Sequence, residues 1–283
     1  MQATQKISNN LTIQYWSYHD DAPLTMVLIH GFTGSHEGFQ YLLPLLPFVH
    51  CIVPDLPGFG TSDLPEEKDW SVDAIARLTN DFVEALHLKS PPIILGHSMG
   101  GLVVSSMVAA RPELYADDVI LMSPVPTRVR KTETRAAGAV LGALQYRLGH
   151  RTGRVGKKLV KSKIISRATT RLLLKTNDTE QRKAIYGHHL RNLDYISDIK
   201  FYDTLHRDIN RRGSIDYAET LRHKRVLLIA GDRDAVTPLN EITQFAHAVK
   251  PERFAIIHGV GHLIHYEQPE AAAEFISEFL RRR

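Results

Sequence analysis

One stretch of the chain has the residue types of a serine nucleophile. An apolar segment ends at Leu95, Gly96-His97-Ser98-Met99-Gly100 follows, and a helical pattern begins at Met99. A Gly-x-Ser-x-Gly motif between a strand and a helix places its serine on a sharp turn, beside the free N–H groups of the helix N-terminus. Glycines are needed on both sides because a Cβ atom there would collide with the adjoining strand and helix. The motif therefore predicts Ser98 as a nucleophile.

A serine hydroxyl is a weak nucleophile at neutral pH and needs a neighbouring base. Most of the 15 histidines cannot have that role. We predict His262, because it lies in a Gly-Val-Gly-His turn between the last predicted strand and a terminal helix. His258, at the end of that strand, and His265, three residues further on, are the alternatives.

The base in turn needs an acid that orients it. The loop after the predicted strand at 226–230 contains Asp232 and Asp234. Either residue could instead cap a turn, which is a common role of aspartate in such loops. We favour Asp234 and keep Asp232 as the alternative. The order Ser98, Asp234, His262 is that of one known triad architecture.

The negative oxygen formed by serine attack needs two N–H donors. The residue after the nucleophile, Met99, supplies one. The loop that follows the predicted strand at 25–30 supplies the other, and the Phe32 N–H is the natural candidate. This chemistry requires no metal ion and no organic cofactor, so we expect neither.

Short apolar runs alternate with helical patterns along both ends of the chain. Such an alternation is typical of a parallel sheet covered by helices on both faces. A more alternating segment at 11–18 suits an edge strand. The predicted buried strands are 25–30, 51–54, 92–95, 119–122, 226–230 and 254–257.

The middle of the chain breaks this rhythm, because it has helical patterns and no convincing strand. We predict that residues 125–221 form a helical cap or lid inserted into a core made of residues 1–124 and 222–283. Residues 125–222 contain 22 Lys/Arg and 9 Asp/Glu, a surplus of 13 positive charges, whereas the remainder has a deficit of 9. The cap is therefore basic and the core acidic.

Together these motifs resemble the α/β-hydrolase superfamily, in its capped, serine-nucleophile, esterase- and lipase-like branch. The resemblance implies a doubly wound, mostly parallel, eight-stranded sheet with the cap inserted after the sixth strand. It argues against epoxide hydrolases and haloalkane dehalogenases, which use an aspartate where this chain has Ser98. The matching stretches are His30-Gly31-Phe32, residues 55–62, 96–101 and 231–238, and Gly261-His262.

The expected function is therefore a serine hydrolase that cleaves a carboxylic ester or related acyl bond through an acyl-enzyme on Ser98. One alternative is a carbon–carbon hydrolase or lyase-like member of the same fold. The other is a non-catalytic ligand-binding protein that uses the fold without turnover.

Composition and charge restrict the setting and the partners. The single Cys51 allows no intramolecular disulfide, and the polar first ten residues lack the apolar core of a signal peptide. We expect a cytoplasmic protein, with a peripheral position at a membrane surface as the alternative. The expected partner is a small acyl or lipid-like substrate. The basic cap is either a solvated surface or a contact for anionic membrane or an anionic substrate; no nucleic-acid motif accompanies it.

Overall fold

An eight-stranded sheet forms the centre of the protein. The computed structural model describes residues 1–7, 10–129 and 145–282, except for the side chain of residue 154. The strand order is β1-β2-β4-β3-β5-β6-β7-β8, with β1 and β2 antiparallel to their neighbours and all other pairs parallel. The strands are β1 (Gln2–Lys6), β2 (Thr12–Tyr18), β3 (Leu24–Ile29), β4 (Val49–Pro54), β5 (Ile93–His97), β6 (Asp118–Met122), β7 (Arg225–Gly231) and β8 (Arg253–Ile257). The predicted fold class is confirmed.

Helices connect the parallel strands and pack against the sheet. The buried apolar residues of sheet and helices form two large clusters. Short 3₁₀ turns occupy His36–Phe39, Leu43–Leu45, Glu67–Asp69, Pro112–Leu114 and Ser214–Tyr217. The α-helices are α1 (Val72–Ala85), α2 (Met99–Ala110), α3 (Gly153–Val160), α4 (Lys163–Leu173), α5 (Thr179–Asn192), α6 (Ile199–Ile209), α7 (Ala218–Leu221), α8 (Leu239–Val249), α9 (Ile264–Glu267) and α10 (Pro269–Leu280). None of the helices in the described ranges is long and apolar enough to cross a bilayer.

Helix α2 is the element that matters most for the predicted site, since it begins directly after Ser98. All but its last two residues are buried, and its sequence is apolar on every side. A helix of this kind is stable only in the interior of a protein. Ser98 therefore lies at the junction of a buried strand, β5, and a buried helix.

The segment between β6 and β7 is helical in its described part. Helices α3, α4, α5 and α6 lie there, together with helical residues at 145–151. Residues 130–144 of the predicted cap lie outside the described residues. The division of the chain into a core and a cap at 125–221 stays a prediction.

An aromatic cluster joins this helical segment to the loop after β3. The Phe32 ring lies 5.6 Å from the rings of Tyr146, Tyr202 and His206, and 6.1 Å from Phe59, measured between centroids. Edge-on contacts of this kind add to the stabilisation that comes from burial alone. The cluster therefore anchors the Phe32 loop to helices that lie more than 100 residues further along the chain.

The cluster makes folding stability sensitive to pH. Burial lowers the pKa of His206 to about 4 from its ordinary 6.5. Between these two values the unfolded chain binds a proton that the folded chain does not. Acidification through this window therefore destabilises the fold, by at most about 1.4 kcal/mol per pH unit for one histidine.

We therefore expect His206→Phe to reduce the slope of unfolding free energy against pH between about pH 6.5 and 4. Phenylalanine keeps the ring contacts and removes the titrating group. The measurement is urea unfolding at several pH values, with His223→Gln as the control because His223 is exposed. An equal slope in wild type and His206→Phe would contradict the assignment.

Candidate active site

Ser98 lies on the sharp turn between β5 and α2, in an unusual backbone conformation. Its φ is 56° and its ψ is −122°, a region that costs a non-glycine residue about 1–3 kcal/mol. Two backbone hydrogen bonds to the β6 strand end hold it there: Ser98 N–H donates to Met122 O at 3.0 Å, and Val125 N–H donates to Ser98 O at 3.2 Å. The turn leaves Ser98 partly exposed among buried neighbours.

The glycines on both sides of Ser98 are required by close backbone approaches. A Cβ atom on Gly96 would lie 2.4 Å from Gly100 O, and one on Gly100 would lie 2.2 Å from Ile29 O. Both distances are far inside van der Waals contact. The spacing of the Gly-x-Ser-x-Gly motif therefore follows from how tightly α2 packs on β3 and β5.

Ser98, His262 and Asp234 form a continuous chain of hydrogen bonds. The His262 Nε2 atom is 2.8 Å from Ser98 Oγ, and His262 Nδ1 is 2.7 Å from Asp234 Oδ2. An ionised carboxylate can only accept hydrogen bonds, so Nδ1 carries the proton of the neutral imidazole. The remaining nitrogen, Nε2, then accepts the Ser98 hydroxyl proton. Both His262 and Asp234 are buried.

Asp234 accepts three further hydrogen bonds from its own loop. Val236 N–H and Thr237 N–H donate to Oδ1 at 2.7 and 2.9 Å, and the Thr237 hydroxyl donates to Oδ2 at 2.6 Å. Burial by itself would raise the pKa of Asp234. Its contacts with His262 and Thr237 outweigh burial and lower that pKa to about 2, so the carboxylate is charged at neutral pH.

The alternative acid and bases lie elsewhere. Asp232 pairs with His258 at 3.0 Å and accepts the Gly259 N–H at 2.7 Å. The His258 side chain is 85% exposed. His265 is buried, and its ring lies 4.1 Å from that of His97, between centroids. The structure brings Asp234 and His262 together with Ser98, and it places Asp232 and His258 in a separate surface pair.

The two predicted oxyanion donors flank Ser98. Met99 is the first residue of α2. The loop that leads to Phe32 passes directly beside Ser98: a Cβ atom on Gly31 would lie 3.2 Å from Ser98 Cβ. Within residues 1–7, 10–129 and 145–282, neither the Phe32 nor the Met99 N–H donates to a protein acceptor.

Two buried side chains that the sequence analysis did not single out hold the His262 turn. His97 Nε2 is 2.9 Å from His262 O, and burial lowers the pKa of His97 to about 3, so it stays neutral and donates through Nε2. Glu267 accepts N–H bonds from Gly261 at 3.2 Å, Lys175 at 2.5 Å and Thr176 at 2.6 Å. Burial raises the pKa of Glu267, and these N–H donors oppose that rise.

The helical segment also contacts the turn directly. His262 N–H donates to Leu173 O, the carbonyl of the last residue of α4, at 2.8 Å. The Glu267 carboxylate adds a second connection, because it accepts N–H bonds from Gly261 as well as from Lys175 and Thr176. Residues 173–176 are thus connected to the backbone of both Gly261 and His262. The position of His262 relative to Ser98 therefore depends on the α4–α5 connection as well as on the sheet.

The arrangement can transfer a proton and form a covalent bond. The His262 imidazole lies within hydrogen-bond distance of the partly exposed Ser98 hydroxyl, and a charged carboxylate stabilises the imidazolium that proton transfer would produce. Among the residues that the structure describes, no group of three or more His, Cys, Asp or Glu side chains is arranged to hold a metal ion.

The chain is similar to known hydrolases in sequence and in fold. The hydrolase YugF of Bacillus subtilis, an uncharacterized protein, is 27% identical over 277 residues, which cover 96% of each chain. Lipase 3 of a Moraxella species is 36% identical over 88 residues, 31% of this chain and 28% of the lipase. An esterase from Thermogutta terrifontis superposes with a TM-score of 0.76 at 22% identity, covering 100% of this chain and 98% of the esterase.

A family model matches most of the chain. The model described as the alpha/beta hydrolase family matches residues 26–275. This range begins in β3, ends in α10 and includes Ser98, Asp234 and His262. The chain therefore belongs to the alpha/beta hydrolase family and is a hydrolase of that fold.

Proposed function

We propose that this protein is a serine hydrolase of carboxylic esters or closely related acyl bonds, acting through an acyl-enzyme on Ser98. The observation that carries the proposal is the chain of hydrogen bonds from Ser98 through His262 to Asp234, at 2.8 and 2.7 Å, on a strained strand-to-helix turn. The likeness to lipases and esterases supports acyl chemistry as the reaction class.

In the first half of the proposed reaction, Ser98 Oγ attacks the substrate carbonyl while His262 Nε2 takes the hydroxyl proton. The carbonyl oxygen becomes an oxyanion, which the Phe32 and Met99 N–H groups stabilise. When this intermediate collapses, the bond to the leaving group breaks and His262 gives its proton to the departing oxygen. The acyl group remains on Ser98.

The second half repeats these steps with water. His262 takes a proton from water as the water oxygen attacks the acyl carbon. The second tetrahedral intermediate then collapses, the Ser98 Oγ–carbon bond breaks, and His262 returns the proton to Ser98. Asp234 stays ionised throughout, keeps the imidazole in its orientation and stabilises its charged form.

We further propose that residues 125–221 cap the site and that the substrate is a small acyl or lipid-like molecule. Two contacts support a cap. Tyr146, Tyr202 and His206 pack on Phe32, and the end of α4 accepts the His262 N–H. The same helices that border the site thus fix one oxyanion donor and the base. Caps in such positions control which acyl and leaving groups can enter.

Wild type and Ser98→Ala are compared on p-nitrophenyl esters from acetate to palmitate. We expect turnover in the wild type and a loss of about 10³-fold or more in kcat/KM for Ser98→Ala, because the attacking oxygen is gone. The control is Ser277→Ala, which removes a hydroxyl that donates to Ala273 O within its own helix, α10. Turnover of dicarbonyl substrates without any ester turnover would contradict the proposal.

Two neighbouring aspartates provide a sharper comparison. Asp234→Asn is expected to lower kcat by about 10³- to 10⁴-fold, because the amide removes the negative charge that stabilises protonated His262. Asp232→Asn makes the same chemical change in a surface pair and is expected to leave kcat within about threefold of wild type. Equal losses in the two variants, measured on the best ester, would contradict the assignment of Asp234 as the acid.

A further inference from the structure

Exposed hydrophobic side chains are concentrated in one part of the chain. Eight large hydrophobic side chains are exposed among the described residues, and five of them lie between residues 148 and 172. Ile164, Val155 and Leu172 are 81%, 72% and 61% exposed. Single exposed apolar residues are ordinary, but such a concentration marks an interaction surface. The five are Leu148, Val155, Leu159, Ile164 and Leu172.

Helix α4 arranges its exposed residues in two parallel stripes. Ile164, Ala168 and Leu172 recur every four residues, and residues with this spacing lie on one side of a helix. Lys163, Arg167 and Arg171 repeat at the same interval, one residue earlier, and form the adjoining stripe. All six are exposed. We call these six residues the α4 face.

The charged residues of the chain segment that carries this face have one sign. Residues 145–177 contain ten Lys/Arg and neither Asp nor Glu. Helix α6 of the same segment differs, since its Arg207 pairs with Asp203 one turn earlier at 2.8 Å. A merely solvated helix gains from such mixed charges. The α4 face combines unbalanced positive charge with exposed aliphatic side chains. In water the like charges repel each other and the aliphatic surface is unfavourably hydrated.

We propose that the α4 face docks on the surface of an anionic lipid bilayer. Aliphatic side chains beside lysine and arginine fit this partner, because the apolar groups enter the acyl boundary while the cations contact anionic headgroups. A nucleic acid fits less well. Tyr146 is the single Phe, Tyr or Trp residue at 145–177 and it is buried, so the segment offers no exposed side chain of these types on which bases could stack.

The docking surface is connected to the candidate active site by one helix. Helix α4 carries the α4 face along its length and ends at Leu173, whose carbonyl accepts the His262 N–H at 2.8 Å. Docking through α4 would therefore bring the His262 side of the site next to the lipid. This inference concerns where the protein binds, and it holds or fails independently of the reaction on Ser98.

The test is cosedimentation with vesicles of phosphatidylcholine alone or with about one third phosphatidylglycerol. Wild type and Ser98→Ala are both used, so that lipid hydrolysis cannot alter the vesicles. We expect binding to the anionic vesicles, little binding to the neutral ones, and a loss of binding at high salt, which screens the charges. Absence of binding to anionic vesicles in both proteins would overturn the proposal.

Two variants divide the α4 face into its stripes. Lys163→Gln/Arg167→Gln/Arg171→Gln should weaken binding to anionic vesicles by about 100-fold, since each cation near the surface contributes about a factor of five. Ile164→Asn/Leu172→Asn should weaken it by about tenfold or more, because two inserted aliphatic groups are lost. Circular dichroism checks that both variants fold.

The matched controls change the same residue types elsewhere. Lys6→Gln/Lys68→Gln/Lys89→Gln removes the same net charge from exposed positions outside the helical segment, and Leu64→Asn removes another exposed hydrophobic side chain. Both should bind within about twofold of wild type. An equal loss of vesicle binding in the lysine control would show that only net charge matters, and it would contradict docking through the α4 face.

The apolar stripe distinguishes a bilayer from other anionic partners. If Ile164→Asn/Leu172→Asn bound vesicles as wild type does while the charge variant lost binding, the surface would recognise polyanions rather than lipid, contrary to the proposal. Turnover of soluble p-nitrophenyl acetate, measured on the same preparations, reports the proposed function separately. Vesicle binding without ester turnover would leave the docking inference intact, and ester turnover without vesicle binding would refute it.

Discussion

The backbone turn at Ser98 is the constraint on which the rest of the site depends. Its positive φ is unfavourable, and it persists because β5 and α2 are buried on both sides and cannot relax independently. The parallel sheet then brings the other groups to the same edge. The loops that carry Phe32, Asp234 and His262 follow β3, β7 and β8 at their carboxyl ends. Residues more than 200 positions apart thus meet around one hydroxyl group.

His262 lies outside regular secondary structure, and three contacts fix its backbone. His97 donates to its carbonyl, Leu173 in the helical segment accepts its N–H, and Glu267 accepts the N–H of the preceding Gly261. These bonds are buried, so losing any of them would leave an unpaired polar group. These bonds therefore restrict the backbone of His262 although it lies outside a helix or strand. Because Leu173, Lys175 and Thr176 take part in these contacts, the helical segment is a structural part of the site.

The sequence predicted those features that have a local cause. Buried strands are continuous apolar runs, and the glycines around Ser98 are required by close backbone contacts. Both features can be recognised from a few consecutive residues. Strand β1 was missed because its polar residues, Gln2–Lys6, carry no apolar signal at the sheet edge. Asp234 was favoured, but the sequence kept Asp232 as an alternative, since both follow β7 and the conformation of the turn decides which one faces His262. Glu267 was missed because two of its three partners, Lys175 and Thr176, lie more than 90 residues away.

The central claim is that Ser98 becomes acylated. The most direct measurement mixes the protein with a p-nitrophenyl ester, quenches with acid within milliseconds to seconds, and digests the sample for mass spectrometry. The account predicts one acyl group on the peptide that contains Ser98, and its disappearance as substrate is exhausted. Rapid ester turnover with no adduct at any time, or an adduct on a different residue, would contradict it.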